Sequence, residues 1–198
     1  MKKLIIATKN PGKVKEFQEL FHKYGIQVRS LLDLEEPVDD IEETGKTFEE
    51  NAVLKAETIS KQFNIPVLAD DSGLEVDALD GRPGIFSARY AGEEKNDQKN
   101  LEKVLVEMEG VAPEYRTARF ICSVAIIQPG REAIVKRGTC EGRIGLEPKG
   151  ENGFGYDPVF IPKGYERSMA ELDPEEKNTI SHRRDAIRKV EDWLKELV

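Results

Sequence analysis

The chain has 198 residues, 38% of them hydrophobic and 34% charged, with a formal net charge of −8. That length and composition describe a globular protein with enough chain for one sizeable core, as one domain or one domain with two lobes. The acidic balance argues against duplex nucleic acid gripped by its phosphates, and leaves open a phosphorylated small molecule held by a local basic pocket with a metal.

The apolar run Leu4 to Ala7 behind Met1-Lys2-Lys3 is too short for a secretion signal, and Lys9-Asn10-Pro11 follows at once. No stretch reaches membrane-spanning length, so the expected compartment is the cytoplasm. Lys3 to Thr8 reads as a buried strand, broken by Asn10-Pro11-Gly12. From Lys13 the pattern is helical, with Val14, Phe17, Leu20, Phe21 and Tyr24 at spacings of three and four. Gly25 suits a helix stop, and Ile26 to Leu32 suggests a second strand. Leu34 to Thr44 is acidic and irregular, carrying Glu35, Glu36, Asp39, Asp40, Glu42 and Glu43. Such charge runs are usually solvated loops. Phe48, Ala52, Ala56, Ile59 and Phe63 then share one helical face, opened by a Thr47/Glu50 capping box and closed by Asn64-Ile65-Pro66.

Val67-Leu68-Ala69 starts like a buried strand. It then places Asp70, Asp71, Ser72 and Gly73 where that strand should end. Ligands of open α/β sheets collect outside the carboxyl ends of strands, and two carboxylates there suit Mg²⁺. The same residues also make an ordinary polar turn. Gly81-Arg82-Pro83-Gly84 is a turn cluster, and Asp97 to Glu109 reads as a helix. Thr117 to Gln128 and Glu132 to Cys140 are β-rich runs joined by Pro129-Gly130-Arg131, as in a hairpin; they form a β-rich lobe or extend the sheet. Cys122 and Cys140 lie in these runs without zinc spacing and read as reduced core residues. Gly150 to Pro162 is dense in glycine and aromatics. Asp173 and Pro174 look like the N-cap and first residue of a helix. The last helix buries Ile187, Val190, Leu194 and Leu197. Strands alternating with helices indicate an α/β fold.

Several stretches carry chemistry. The loop Thr8-Lys9-Asn10-Pro11-Gly12-Lys13 is no Walker A, but a glycine loop at a helix start offers an anion free N–H groups and a positive dipole end. Taken alone, the loop reads more readily as a simple βα turn. Glu42 or Glu43 adds a further carboxylate if the acidic loop folds over Asp71. Phe154, flanked by Gly153 and Gly155, suits stacking on a planar base or packing in a Gly-rich turn. His182 and Arg183 could donate hydrogen bonds to a keto oxygen or phosphate, or form a polar helix face. His22 reads as structural. There is no Gly-x-Ser-x-Gly elbow and no dinucleotide glycine fingerprint.

Taken in order, these motifs resemble the inosine triphosphate pyrophosphatase family. Thr8-x-Asn10-x-Gly12-Lys13, Glu43-Thr44-Gly45 and Phe48-x-x-Asn51-Ala52 match its start. Ala69 to Leu74 and Pro83 to Tyr90 match its centre; Gly153 to Pro158 and Glu176-Lys177 through Ser181-His182-Arg183 match its end. The resemblance spans the chain. It implies one pyrophosphatase domain over residues 1–198: an elongated mixed sheet flanked by helices, with two lobes and a central cleft, usually as a homodimer. It implies Mg²⁺-dependent hydrolysis of non-standard purine nucleoside triphosphates (dITP, XTP) to monophosphate and pyrophosphate. Thr8, Lys9, Asn10, Pro11, Gly12 and Lys13 would hold the triphosphate, with Lys55 a further phosphate contact. Asp71 would bind Mg²⁺ and accept the water proton. Asp70 and Glu42 or Glu43 are further metal candidates, with Glu42 preferred. Ser72, Phe154, Gly155, Tyr156, Asp157, Lys177, His182 and Arg183 would surround the nucleotide, its base toward Phe154 and His182-Arg183. No nucleic acid or membrane partner is expected. Two rivals are a pyrimidine triphosphate pyrophosphatase and a nucleotide sensor without turnover. The aromatic and His-Arg pairing speaks against the first, the paired carboxylates against the second.

Overall fold

A computed structural model describes residues 3–197; the side chains of Lys3 and of Leu197, expected above on a buried helix face, lie outside the described residues. The chain runs β1 (Lys3–Ile6), α1 (Pro11–His22), β2 (Gln27–Ser30), α2 (Phe48–Phe63), β3 (Val67–Val76), α3 (Asp97–Glu107), β4 (Thr117–Ile127), β5 (Ile134–Ile144), β6 (Phe160–Pro162), α4 (Pro174–Ile180), α5 (His182–Arg188) and α6 (Glu191–Leu197). The strands form one six-stranded sheet in the order β2-β1-β3-β4-β5-β6. β1 is parallel to β2 and β3, and β6 antiparallel to β5, so the sheet is mixed and the α/β expectation is borne out. The β4–β5 segment extends this sheet. Among the described residues no helix is long and apolar enough to cross a membrane.

The chain divides into two compact units. Unit 1 comprises Met1–Asp71, Cys122–Gly138 and Arg183–Val198; unit 2 comprises Ser72–Ile121 and Thr139–His182. In unit 1 the period-two alternation of the strands sorts apolar side chains onto two faces. Leu4, Ile6, Leu68, Cys122, Val124 and Ile126 pack with Phe17, Leu20 and Phe21 of α1 and with Ala186, Ile187, Val190, Trp193 and Leu194 near the C-terminus. Ala7, Val67, Ala69 and Ala125 pack with Ala52, Ala56 and Ile59 of α2. At the start of β3, Leu68 therefore faces α1, and Val67 and Ala69 face α2.

Local chemistry sets where the helices begin. Asn10 caps α1, its Oδ1 accepting from Lys13 N at 3.1 Å, and Pro11 takes the first helical position, where its missing N–H costs nothing. The helix thus starts before Lys13. Thr47 caps α2 through Glu50 N at 3.1 Å, and Asn64 ends it in the left-handed region. Such a cap contributes about 1 kcal/mol. In unit 2, Leu74, Val76, Leu101, Val104, Met108, Phe120, Ile144 and Phe160 belong to one core. Arg116 is buried there, with its guanidinium donating to the carbonyls of Ile144, Met108 and Gly145 at 2.8–2.9 Å.

Two expectations are corrected. β3 does not end at Asp70; it runs ten residues, through Asp70, Asp71, Ser72 and Gly73 to Val76. The strand tolerates consecutive buried carboxylates because each faces cations or donors on its own side, as described below. The C-terminal stretch is three short helices. Asp173 caps α4 as expected, its Oδ1 accepting from Glu176 N at 2.8 Å, but Ser181 is extended (φ −67°, ψ 155°) and separates α4 from α5.

Candidate functional site

The charged centre of unit 1 follows from the alternation of β3. Asp70 points to the α1 face, where it is fully buried. Lys13 Nζ lies 2.9 Å from its Oδ2 and Arg183 Nε 3.7 Å. Arg183 also donates from Nη1 to Glu16 Oε2 at 2.7 Å. Lys13 and Glu16 are three residues apart on α1 and so share a face. Burial opposes the Asp70 charge, yet Lys13, Arg183 and Lys55 hold its carboxyl below the usual carboxylate range.

Asp71 points to the α2 face. Its Oδ2 accepts from Asn51 Nδ2 at 3.2 Å, and its Oδ1 lies 3.2 Å from Lys55 Nζ. Asn51 and Lys55 are one turn apart on α2. The same Lys55 ammonium sits 2.7 Å from Glu43 Oε1, so the carboxylates of Glu43 and Asp71 meet on one cation. Burial pushes the Asp71 carboxyl above its ordinary value, and Glu43 adds to the rise against the pull of Lys55 and Lys13. Lys55 moves up because Asp71, Asp70 and Glu43 outweigh its own burial. The acidic loop is tied at further points: Gly45 N donates to Asn51 Oδ1 at 2.8 Å, and Lys9 Nζ reaches Asp40 at 2.7 Å.

The candidates from unit 1 therefore fall into two groups. Asp71, Glu43 and Lys55 gather on the α2 face, and Lys13, Asp70 and Arg183 on the α1 face. Glu42 is exposed, while Glu43 is half-buried against Lys55. The loop from Thr8 to Lys13 holds its own shape: Thr8 Oγ1 accepts from Asn10 N at 3.1 Å, and Asn10 caps the helix. Lys9, Asn10 and Pro11 are exposed, with Gly12 and Lys13 half-buried. A helix start bounded by Lys9 and Lys13 can receive an anion. Two carboxylates converging on one ammonium can equally share a metal cation. Among the described residues no three His, Cys, Asp or Glu side chains cluster as a ready-made metal cage.

In unit 2, Asp157 organises the glycine-aromatic loop. Its Oδ2 accepts from Phe154 N at 3.0 Å and from Lys177 Nζ at 2.6 Å. The ammonium of Lys177 lies 5.1 Å from the Phe154 ring centroid. Gly153 is required here: its φ is +75°, and a Cβ would stand 2.0 Å from Asp157 Oδ2. Gly155 N donates to Asp97 Oδ2 at 2.9 Å. Tyr156 is a core residue whose hydroxyl donates to Ser87 O at 2.6 Å. His182 stacks on Phe120, ring centroids 4.9 Å apart, whereas its neighbour Arg183 belongs to unit 1. Ser72, the first residue of unit 2, is half-buried on β3.

Three participants were given no site role from the sequence: Asn51, which appears there only within a family motif, Glu16 and Asp97. Asn51 leaves a signal, a polar residue among the buried positions of α2 one turn before Lys55. Glu16 leaves a weaker one, a carboxylate beside Phe17 on the apolar side of α1. Asp97 leaves none, because it reads as an ordinary first-turn acid.

The chain is similar to known proteins over nearly its whole length. The model of the Ham1 family matches residues 4–193. A dITP/XTP pyrophosphatase of Oceanobacillus iheyensis is 63% identical, over 98% of each chain. One of Bacillus subtilis is 56% identical, also over 98% of each. The solved structure of the Staphylococcus aureus Ham1 protein superposes with a TM-score of 0.86 at 46% identity, covering 98% of this chain and 99% of that one.

Proposed function

The chain belongs to the Ham1 family, and on that footing we propose that it is a nucleoside triphosphate pyrophosphatase. It hydrolyses non-standard purine nucleoside triphosphates of the dITP and XTP kind to monophosphate and pyrophosphate, which keeps aberrant purines out of DNA and RNA. Close relatives bearing the name dITP/XTP pyrophosphatase support the reaction. The observation that carries the reading within this chain is the meeting of Glu43 and Asp71 on the Lys55 ammonium.

That pair fits Mg²⁺, a hard cation that takes one or two protein carboxylates and completes its shell with water and phosphate oxygens. Glu43 and Asp71 would hold it; when bound it supplies charge neutralisation and Lewis acidity at the phosphate being attacked. Asp70, already matched by Lys13 and Arg183, acts instead as the buried counter-charge that fixes those two cations. Lys9, Lys13, Lys55 and the N–H groups opening α1 take the triphosphate, which brings about four negative charges into an acidic protein. Asp71 orients the attacking water and takes its proton. Phe154 offers its ring to the base, with His182 and Arg183 donating at the base edge; Ser72, Gly155, Tyr156, Asp157 and Lys177 shape that part of the site. The chain acts as one domain and as a homodimer in the cytoplasm, on free nucleotides and not on nucleic acid or membrane; its net charge of −8 supports the exclusion of polyanionic strands.

A panel of standard and aberrant nucleoside triphosphates with Mg²⁺, scored for pyrophosphate against phosphate, tests the proposal. Pyrophosphate from dITP and XTP, far above that from ATP or the pyrimidine triphosphates, is the expected result. Preferred pyrimidine turnover, or binding with no product, would replace it with one of the rival readings.

A further inference from the structure

Asn51 is 1% exposed, and both ends of its amide are used. Oδ1 accepts from Gly45 N at 2.8 Å, and Nδ2 donates to Asp71 Oδ2 at 3.2 Å. The orientation of the amide is thereby forced, because Gly45 N can only donate and the carboxylate of Asp71 can only accept. One side chain thus ties the end of the acidic loop to the middle of β3. Gly45 permits the tie by having no side chain: a Cβ there would stand 2.5 Å from Asn51 Oδ1, 2.8 Å from Glu50 Cβ and 2.9 Å from Asn51 N. Glu43 lies two residues before Gly45. Its carboxylate reaches the same ammonium as Asp71 because the loop is pinned at that distance.

We infer that Asn51 is a positioning residue that, together with the bare backbone of Gly45, sets the separation of Glu43 and Asp71 and so prepares them to share one divalent cation. The inference rests on the metal reading of that carboxylate pair. It assigns Asn51 no contact with substrate. Its role is to remove the cost of ordering the acidic loop when a cation binds: a preformed pair binds more tightly than one whose loop must first be captured. An amide is suited to this because it supplies both an acceptor and a donor without adding charge beside two carboxylates.

The test uses the full chain without nucleotide and Mn²⁺ as the probe, with Asn51→Ala, Gly45→Ala and the double variant. Mn²⁺ should bind the parent and be lost in Asp71→Asn. Asn51→Ala and Gly45→Ala should each weaken Mn²⁺ binding roughly 10-fold or more. The double variant should be no weaker than Asn51→Ala alone, since both changes break one link. Hydrogen exchange in the metal-free protein should show protection of the Gly45 amide lost in Asn51→Ala. In turnover, the half-activating Mg²⁺ concentration should rise by the same factor, and excess Mg²⁺ should restore most of the rate. A general loss of packing would lower the rate at every metal concentration. If Asn51→Ala does not fold, Gly45→Ala, a change in a loop, carries the test through the same Mn²⁺ and Mg²⁺ measurements. Mn²⁺ affinity and Gly45 protection unchanged in the folded variants, or losses that multiply in the double variant, would overturn the inference. A parent chain that does not bind Mn²⁺ through Asp71 would instead overturn the metal reading beneath it.

Discussion

Asp70 and Asp71 are adjacent and chemically identical, yet their surroundings differ because a strand turns successive side chains to opposite faces. Asp70 meets Lys13 and Arg183, and Asp71 meets Asn51 and Lys55. Substitution should separate the two roles. Asp71→Asn should keep the fold, with an unchanged far-ultraviolet spectrum, and lose nearly all turnover, because an amide is a poor Mg²⁺ ligand and takes no proton at neutral pH. Wild-type turnover would remove Asp71 from the chemistry. Asp70→Leu should chiefly cost stability, since Lys13 and Arg183 would lose a buried counter-charge; breaking such a buried pair costs about 3–5 kcal/mol. Denaturant unfolding measures it, and a loss under about 1 kcal/mol would show that the network is dispensable. The carboxylate pair was plain in the sequence, but its division between two faces was not. Asp-Asp-Ser-Gly has the composition of a turn, which masks the alternation that a continuing strand makes automatic. Arg183 was equally opaque: its partner Glu16 lies 167 residues away in the chain.

At the level of elements, periodicity and capping residues located most of the structure. Thr47 and Asp173 each cap a helix where the sequence indicates, while Asn10 caps one that begins two residues before the expected start at Lys13. Short-range pattern could not show β3 running on past Asp71, since that depends on cations brought by α1 and α2. Phe154 between two glycines marks the glycine-aromatic loop in the sequence, but nothing there marks Asp157 as the acceptor that ties Phe154 N and Lys177 together. Phe154→Ala should raise KM for all purine triphosphates by a similar factor, because stacking reads a ring face and not its edge; about 1–3 kcal/mol per base corresponds to roughly 5- to 150-fold. A change confined to one base would make Phe154 an edge reader. α3 is held to the preceding turn through Asn100, which bonds Ala88 O and Ala91 N, and through the Tyr90 hydroxyl donating to Glu107. Burial and then Glu107 push the Tyr90 hydroxyl up to about 12. A raised folded value means that this contribution is intact below pH ~10, the unfolded tyrosine value, and is lost as pH rises from there through about 12. Tyr90→Phe should therefore unfold with a flatter dependence on pH across that window, and melting curves identical in slope to the parent's would contradict the assignment.

For the whole molecule, composition excluded more than it identified. A net charge of −8 on a chain that handles polyphosphates requires the cations to be concentrated locally, and Lys9, Lys13 and Lys55 are so placed in unit 1. Each of these lysines faces a carboxylate, which keeps the charges in position without leaving them bare. In the proposed reaction water attacks the innermost phosphorus, with the outer two phosphates leaving together. Turnover of dITP in oxygen-18-labelled water, followed by mass analysis of both products, tests it most directly. The label is expected in the monophosphate, with none in pyrophosphate. Label in pyrophosphate, or in free phosphate released beside a diphosphate, would mean that the triphosphate is attacked elsewhere and that the proposed roles of Asp71 and the lysines are wrong.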